Sequence, residues 1–277
     1  MSSRTEVENA SAKQNVFVDD LQPADVPIWR EGLAGVDWMR LHASSVYYGL
    51  GVPKGNGAAV IVVPGFMGTD TYLIELHQWL KRIGYTPYMS RIGHNADCPS
   101  VLLEHLLSTT RRAFEDTGRK VHLVGHSLGG VFSRNLAVQH PDMIQSVATL
   151  GSPIRGVRAH PWVLSMSDRV RNRIHRKSSK KPHDLRPKSK QCFTIDCECG
   201  FTRTWRGEFT DEVDQLVIYT KTDGIVDWEM TLTGNPEWDV EVSGTHCGLA
   251  WNPEVYRALA RHLHLSERIR AKKVTAA

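Results

Sequence analysis

Apolar positions in the middle of this 277-residue chain fall into two alternating rhythms. Ala58-Ala59-Val60-Ile61-Val62-Val63 is the longest unbroken apolar run and reads as a strand buried on both faces. Leu73, Leu76, Leu80 and Ile83 then recur at three- and four-residue steps, which predicts a helix over about 70–83. Tyr85–Met89 reads as a short strand, and Val101–Glu115 as a helix that turns Leu102, Leu106 and Phe114 inward. A strand over 121–124 leads into a helix over 129–139, stopped by His140-Pro141, and Ile144–Leu150 is the next strand. The rhythm then lapses until a strand over 216–220 and a short run at Trp238–Val242. A last helix opens at Asn252-Pro253, with proline in its first turn, and runs to about 264. Strands alternating with helices predict an α/β fold, with a mostly parallel sheet covered on both faces.

The lapse has a character of its own. Arg155 to Lys190 holds twelve Lys or Arg against two acids, Asp168 and Asp184. That local charge of +10 exceeds the +4 of the whole chain, so the remainder is acidic. Pro161–Met166 is the apolar part of this stretch, and Asp168–Arg176 reads as a short basic helix. A positive field here would attract an anionic substrate or a membrane surface, or else simply keep a loop solvated. Nucleic acid is not expected, because no aromatics interleave with the basic residues.

The chemistry is carried by Gly125-His126-Ser127-Leu128-Gly129, set between the strand and the helix. A turn this tight holds the serine in strained geometry with its hydroxyl presented, and glycine two residues to either side lets strand and helix pass. The N–H groups of the new helix face the place where negative charge develops in acyl transfer. A serine hydroxyl needs a base, and the base an orienting carboxylate. Asp223 follows the 216–220 strand, and His246 lies in the loop Ser243-Gly244-Thr245-His246-Cys247-Gly248 before the last helix. Asp227 is the second candidate for the acid.

These residues resemble the α/β-hydrolase family, in its serine esterase and lipase branch. The resemblance spans about residues 55–265 and includes Pro64-Gly65-Phe66-Met67-Gly68, the turn at Ser127, Thr149-Leu150-Gly151-Ser152-Pro153, Thr222–Trp228 and Gly244-Thr245-His246. It implies a Ser127–His246–Asp223 triad, with the acid in an Asp-x-x-Val turn. It implies an oxyanion hole from the Phe66 and Leu128 N–H groups, with Met67 the neighbour of the first. Pro64 stands where the family often has histidine. It also implies that the segment at about 154–209 is a cap or lid inserted over the nucleophile. The expected activity is hydrolysis of a small-molecule or lipid-like carboxylic ester without a cofactor. An acyltransferase, lactonase or amidase would use the same triad, and a slow-turnover ligand receptor the same fold.

The length suits one α/β-hydrolase domain over 21–277, behind a tail over 1–20. Residues 24–50, with Trp29, Trp38, Met39, Leu41 and Tyr47, read as a partly helical preamble packed on that domain. No apolar run approaches the ~20 residues that span a bilayer, and the polar first ten residues carry no signal segment, so the expected location is cytoplasmic. His126, Met67 and His94 are the candidate substrate contacts. Of five cysteines, Cys192-x4-Cys197-x-Cys199 lacks the spacing of paired zinc knuckles, so no metal is expected. Packed thiols or a disulfide within that cluster are the remaining readings. Oligomeric state is left open.

Overall fold

The structure is a computed structural model and describes residues 21–178 and 197–275. The expected tail over 1–20 lies outside these residues, as does 179–196 of the expected cap, including Cys192. In chain order come β1 (Gln22–Pro23), α1 (Ala34–His42), β2 (Ala59–Val63), α2 (Ile74–Arg82), β3 (Thr86–Met89), α3 (Pro99–Thr117), β4 (Val121–His126) and α4 (Leu128–Gln139). Then follow β5 (Ile144–Leu150), β6 (Arg158–Ala159), α5 (Pro161–Ser178), α6 (Gly200–Arg206), β7 (Asp214–Tyr219), β8 (Asp239–Glu241) and α7 (Pro253–Thr275).

Six strands form one parallel sheet in the order β3-β2-β4-β5-β7-β8. β1 and β6 make a separate parallel pair. β2 shows why the continuous apolar run was needed. Val60 and Val62 pack into the core on one face with Trp79 and Tyr256, while Ala59, Ile61 and Val63 pack into the other with Leu106 and Phe132. Each face of a strand carries alternate residues, so a strand covered on both sides has no polar position to spare. From β2 the chain goes first to β3 on one side and then to β4 on the other. That reversal opens a crevice beyond the carboxyl ends of β2 and β4, where ligands of such sheets sit.

Three elements differ from the periodic reading. The chain over 70–83 is split, with a 3-10 turn at Asp70–Leu73 before α2. The basic helix begins at Pro161, since the apolar stretch 161–166 is its own first turns. α7 continues well past 264 because Ser266 and Glu267, polar by type, are turned inward. Glu267 is paired there with Arg119 and lies 3.1 Å from His122 Nε2, while Ser266 Oγ donates to Asp214 Oδ2 at 2.5 Å.

Candidate active site

β4 ends at His126, and Ser127 has φ +52° and ψ −126°, a conformation costly for any residue with a side chain. The flanking glycines make it attainable. A Cβ at Gly125 would collide with the backbone of Gly129 and Gly130, and one at Gly129 with the carbonyls of Val63 and Pro64. Ser127 N–H donates to Leu150 O at 2.8 Å, tying the turn to the end of β5.

Asp223 lies just past β7 and His246 past β8, at the same edge of the sheet. Their side chains meet, His246 Nδ1 to Asp223 Oδ2 at 2.6 Å, both buried. The other oxygen, Asp223 Oδ1, accepts the N–H groups of Ile225 (2.9 Å) and Val226 (2.8 Å), so the carboxylate is fixed on both sides. Burial alone would push the His246 pKa down. The Asp223 charge, its hydrogen bond and the Glu31 charge outweigh this, so the imidazole ends above its ordinary value. Asp227 is occupied elsewhere. It caps the 3-10 turn Trp228–Thr231 through Glu229 N–H and pairs with Arg158 at 3.0 Å.

Ser127 and His246 line one cavity of about 480 Å³, mostly apolar, together with Phe66, Met67, Leu128, Val226 and Trp251. α5 closes part of it with Trp162, Val163, Leu164 and Met166. Farther along α5, Val170 and Ile174 pack with Ala96 and Phe66. In the loop after β2, Met67 N–H is consumed by Asn95 O (2.9 Å) and Gly65 N–H by Tyr72 Oη (2.7 Å). Among the described residues, the N–H groups of Phe66 and Leu128 have no protein acceptor. Two backbone donors at the mouth of such a cavity can receive a developing oxyanion.

His126 lines the cavity, but both its ring nitrogens are engaged. A carbonyl can only accept, so Nε2–H donates to His246 O at 2.9 Å; Nδ1 then accepts from Tyr72 Oη at 2.8 Å. Burial first, and the nearby His246 second, lower the His126 pKa to about 3, which keeps it neutral. Met67 is 37% exposed and lines the cavity. His94 is exposed and is not among the lining residues; its neighbour Asn95 is the one turned inward, donating to Pro64 O at 2.8 Å. Loop position alone does not tell two adjacent side chains apart.

The preamble contributes two carboxylates that sequence reasoning did not single out. Glu31 Oε1 accepts Gly224 N–H (2.9 Å) and His246 N–H (3.0 Å), and Oε2 accepts Cys247 N–H (2.8 Å). Asp37 in α1 accepts Thr245 N–H at 3.2 Å. The Asp223 loop and the His246 loop are thus held together by one side chain from the start of the fold. Cys199 carries no disulfide, and among the described residues no three His, Cys, Asp or Glu side chains are grouped to hold a metal. No described helix is long and apolar enough to cross a membrane.

Known proteins resemble this arrangement. The alpha/beta hydrolase fold family matches residues 117–179. A triacylglycerol lipase of Burkholderia plantarii is 32% identical over 133 residues, 45% of this chain and 37% of that protein. One of Pseudarthrobacter phenanthrenivorans is 35% identical over 106 residues, 35% of this chain and 33% of that protein. The matches therefore span little more than a third of these relatives' own lengths. A metagenome-derived lipolytic enzyme superposes with a TM-score of 0.52 at 16% identity, covering 78% of this chain and 96% of that one. A lipase of Bacillus licheniformis does so with 0.51 at 17% identity, covering 75% and 94%. At such identities the likeness is one of fold, and it agrees with the sheet order, the turn after β4 and the matched segment. The chain has the α/β-hydrolase fold.

Proposed function

We propose that this chain hydrolyses carboxylic esters, as a carboxylesterase or lipase, through an acyl-enzyme on Ser127. The observation that carries the reading is the buried 2.6 Å pair of His246 and Asp223, with His246 lining an apolar cavity that Ser127 also lines. Ser127 Oγ attacks the ester carbonyl while His246 Nε2 takes its proton. Asp223 keeps the other ring proton on Nδ1 and stabilises the imidazolium. The tetrahedral oxyanion is received by the N–H groups of Phe66 and Leu128, each donor of this kind being worth about 3 kcal/mol to the transition state. Collapse expels the alcohol, which takes the proton back from His246. Water then repeats the sequence on the acyl-enzyme, with His246 again as base, and releases the acid.

The lining supports an apolar acyl or alcohol portion. The described helix of the expected cap, α5, acts as a cap, a reading supported by four of its side chains in the cavity wall. Its positive charge favours encounter with anionic esters, a preference that salt should screen. The lipase names of the sequence relatives favour the same chemistry. The direct test is labelling with a fluorophosphonate, followed by hydrolysis of aryl esters of graded acyl length. Ser127→Ala should abolish labelling and turnover while leaving thermal unfolding in place. Full labelling of that variant would remove Ser127 as the nucleophile.

A further inference from the structure

The helix that begins at Leu128 turns a different face to a second cavity, one that the ester chemistry does not use. This cavity, of about 470 Å³, lies between α4, the segment Ile154–Arg155, α6 and the chain around 207–215 and 232–238. Its lining holds three arginines, Arg134, Arg155 and Arg206. A guanidinium presents five N–H donors and keeps its charge, so a sheltered one needs acceptors.

Arg155 lacks them, and Arg134 has one. Arg155 donates its backbone N–H to Met230 O at 3.0 Å, but its side chain makes no hydrogen bond or ion pair, and its Nε is buried without a partner. Arg134 is held by Gln215 Oε1 at one nitrogen and lies with its guanidinium 4.2 Å over the ring of Phe209. No carboxylate among the described residues reaches ion-pair distance of either. Asp239 acts on Arg134 from farther off, and its oxygens are spent on the Thr233 and Gly234 N–H groups and the Thr233 hydroxyl. Glu208 and Asp211 also line the cavity, but neither pairs with Arg134 or Arg155. Arginine forks match the two in-plane oxygens of a carboxylate or phosphate. Val131, Val138 and Ile154 add an apolar flank.

We infer that this cavity binds a small organic anion through its oxyanion group, a carboxylate or a phosphate monoester. Arg155 is the principal contact and Arg134 the second. The inference does not rest on the esterase reading. Its test is calorimetric titration of the full chain with benzoate, phenyl phosphate and inorganic phosphate at constant ionic strength. Before titration the Ser127 cavity is blocked by a phosphonate, or by bulk at Met67 if the serine does not react. Saturable one-to-one binding is expected, weakened at least about tenfold by Arg155→Gln, the loss expected for a hydrogen-bonded charge. Arg155→Lys should not restore it, since an ammonium lacks the fork. Benzoate binding alone assigns a carboxylate, and binding of the phosphates alone a phosphate. Without ligand, Arg155→Met should melt no lower than the native chain, because it removes an orphaned donor. If Arg155 variants fail to fold, Arg134→Gln carries the same affinity test. No saturable binding below about 10 mM, or unchanged affinity in a folded variant, would overturn the inference.

Discussion

Glu31→Gln separates the geometric and electrostatic contributions of the preamble to the loops of Asp223 and His246, the proposed acid and base. The carboxylate accepts three backbone N–H groups on two loops, at 2.8–3.0 Å. Glutamine retains one oxygen and places an amide N–H against a third donor, most simply Cys247 N–H. One charge-assisted bond of about 1.5–3 kcal/mol is lost, with a repulsive contact in its place. If half of that loss falls on the positioning of His246 in the transition state, kcat/KM drops about four- to thirteenfold. The electrostatic effect has a definite sign. Glu31 is one of the charges that hold the His246 pKa up, and the imidazole must be neutral to act as base. Removing that charge lowers the pKa, so the acid limb of the pH–rate profile should move to lower pH even as the plateau falls. The assay is kcat/KM against pH for a neutral aryl ester, with thermal unfolding alongside. A variant whose acid limb coincides with that of the native chain would refute the electrostatic argument. An unchanged plateau with an unchanged melting temperature would refute the clamp.

Asp223→Asn should cost turnover far more than Asp227→Asn, by up to roughly 10⁴-fold, because asparagine fails to hold the required histidine tautomer; kcat of the two variants decides it. The same substitution probes stability. A histidine raised above 6.5 in the fold adds stability that is fully present below 6.5 and fades as pH rises through the folded value. The deficit of Asp223→Asn in urea unfolding should therefore be largest just below 6.5 and narrow toward alkaline pH. Gly129→Ala should abolish or severely destabilise the fold, by about 3 kcal/mol or more, since the new Cβ meets backbone carbonyls that cannot yield. Gly32→Ala, with open space around it, is the control, and melting temperatures compare the two.

What was legible in the sequence follows from how each feature is encoded. The strand, turn and helix around Ser127 are local, and their periodicities and glycines lie side by side. β2 was legible because burial on both faces excludes polar residues, and the sheet order then places Asp223 and His246 at the same edge as Ser127. Glu31 was not legible. Its partners lie 193 to 216 positions away and are backbone N–H groups, which carry no residue identity. The inward turn of Asn95, rather than His94, depends on the loop that it braces. The end of α7 was missed for a related reason: Glu267 is buried only because Arg119 and His122 meet it. Arg155 was counted as one charge in a basic run, and only the fold reveals that its guanidinium lacks a partner.

The parallel sheet also sets a timetable. His126 and His246 touch through a hydrogen bond but lie 120 positions apart. At a synthesis rate of 5–20 residues per second, the Ser127 turn is made roughly 6–24 s before His246, the base proposed for it. β2 to β5 can pair during that interval, yet the edge of β5 waits for β7, and Glu31 waits longest of all. A nascent chain thus carries a serine turn without its proposed base, and an unclamped preamble whose Trp38 and Met39 remain exposed even in the finished fold. Reactivity toward a serine probe during synthesis would then mark completion of the molecule, and a stalled or truncated product would present apolar surface to chaperones instead of an active serine.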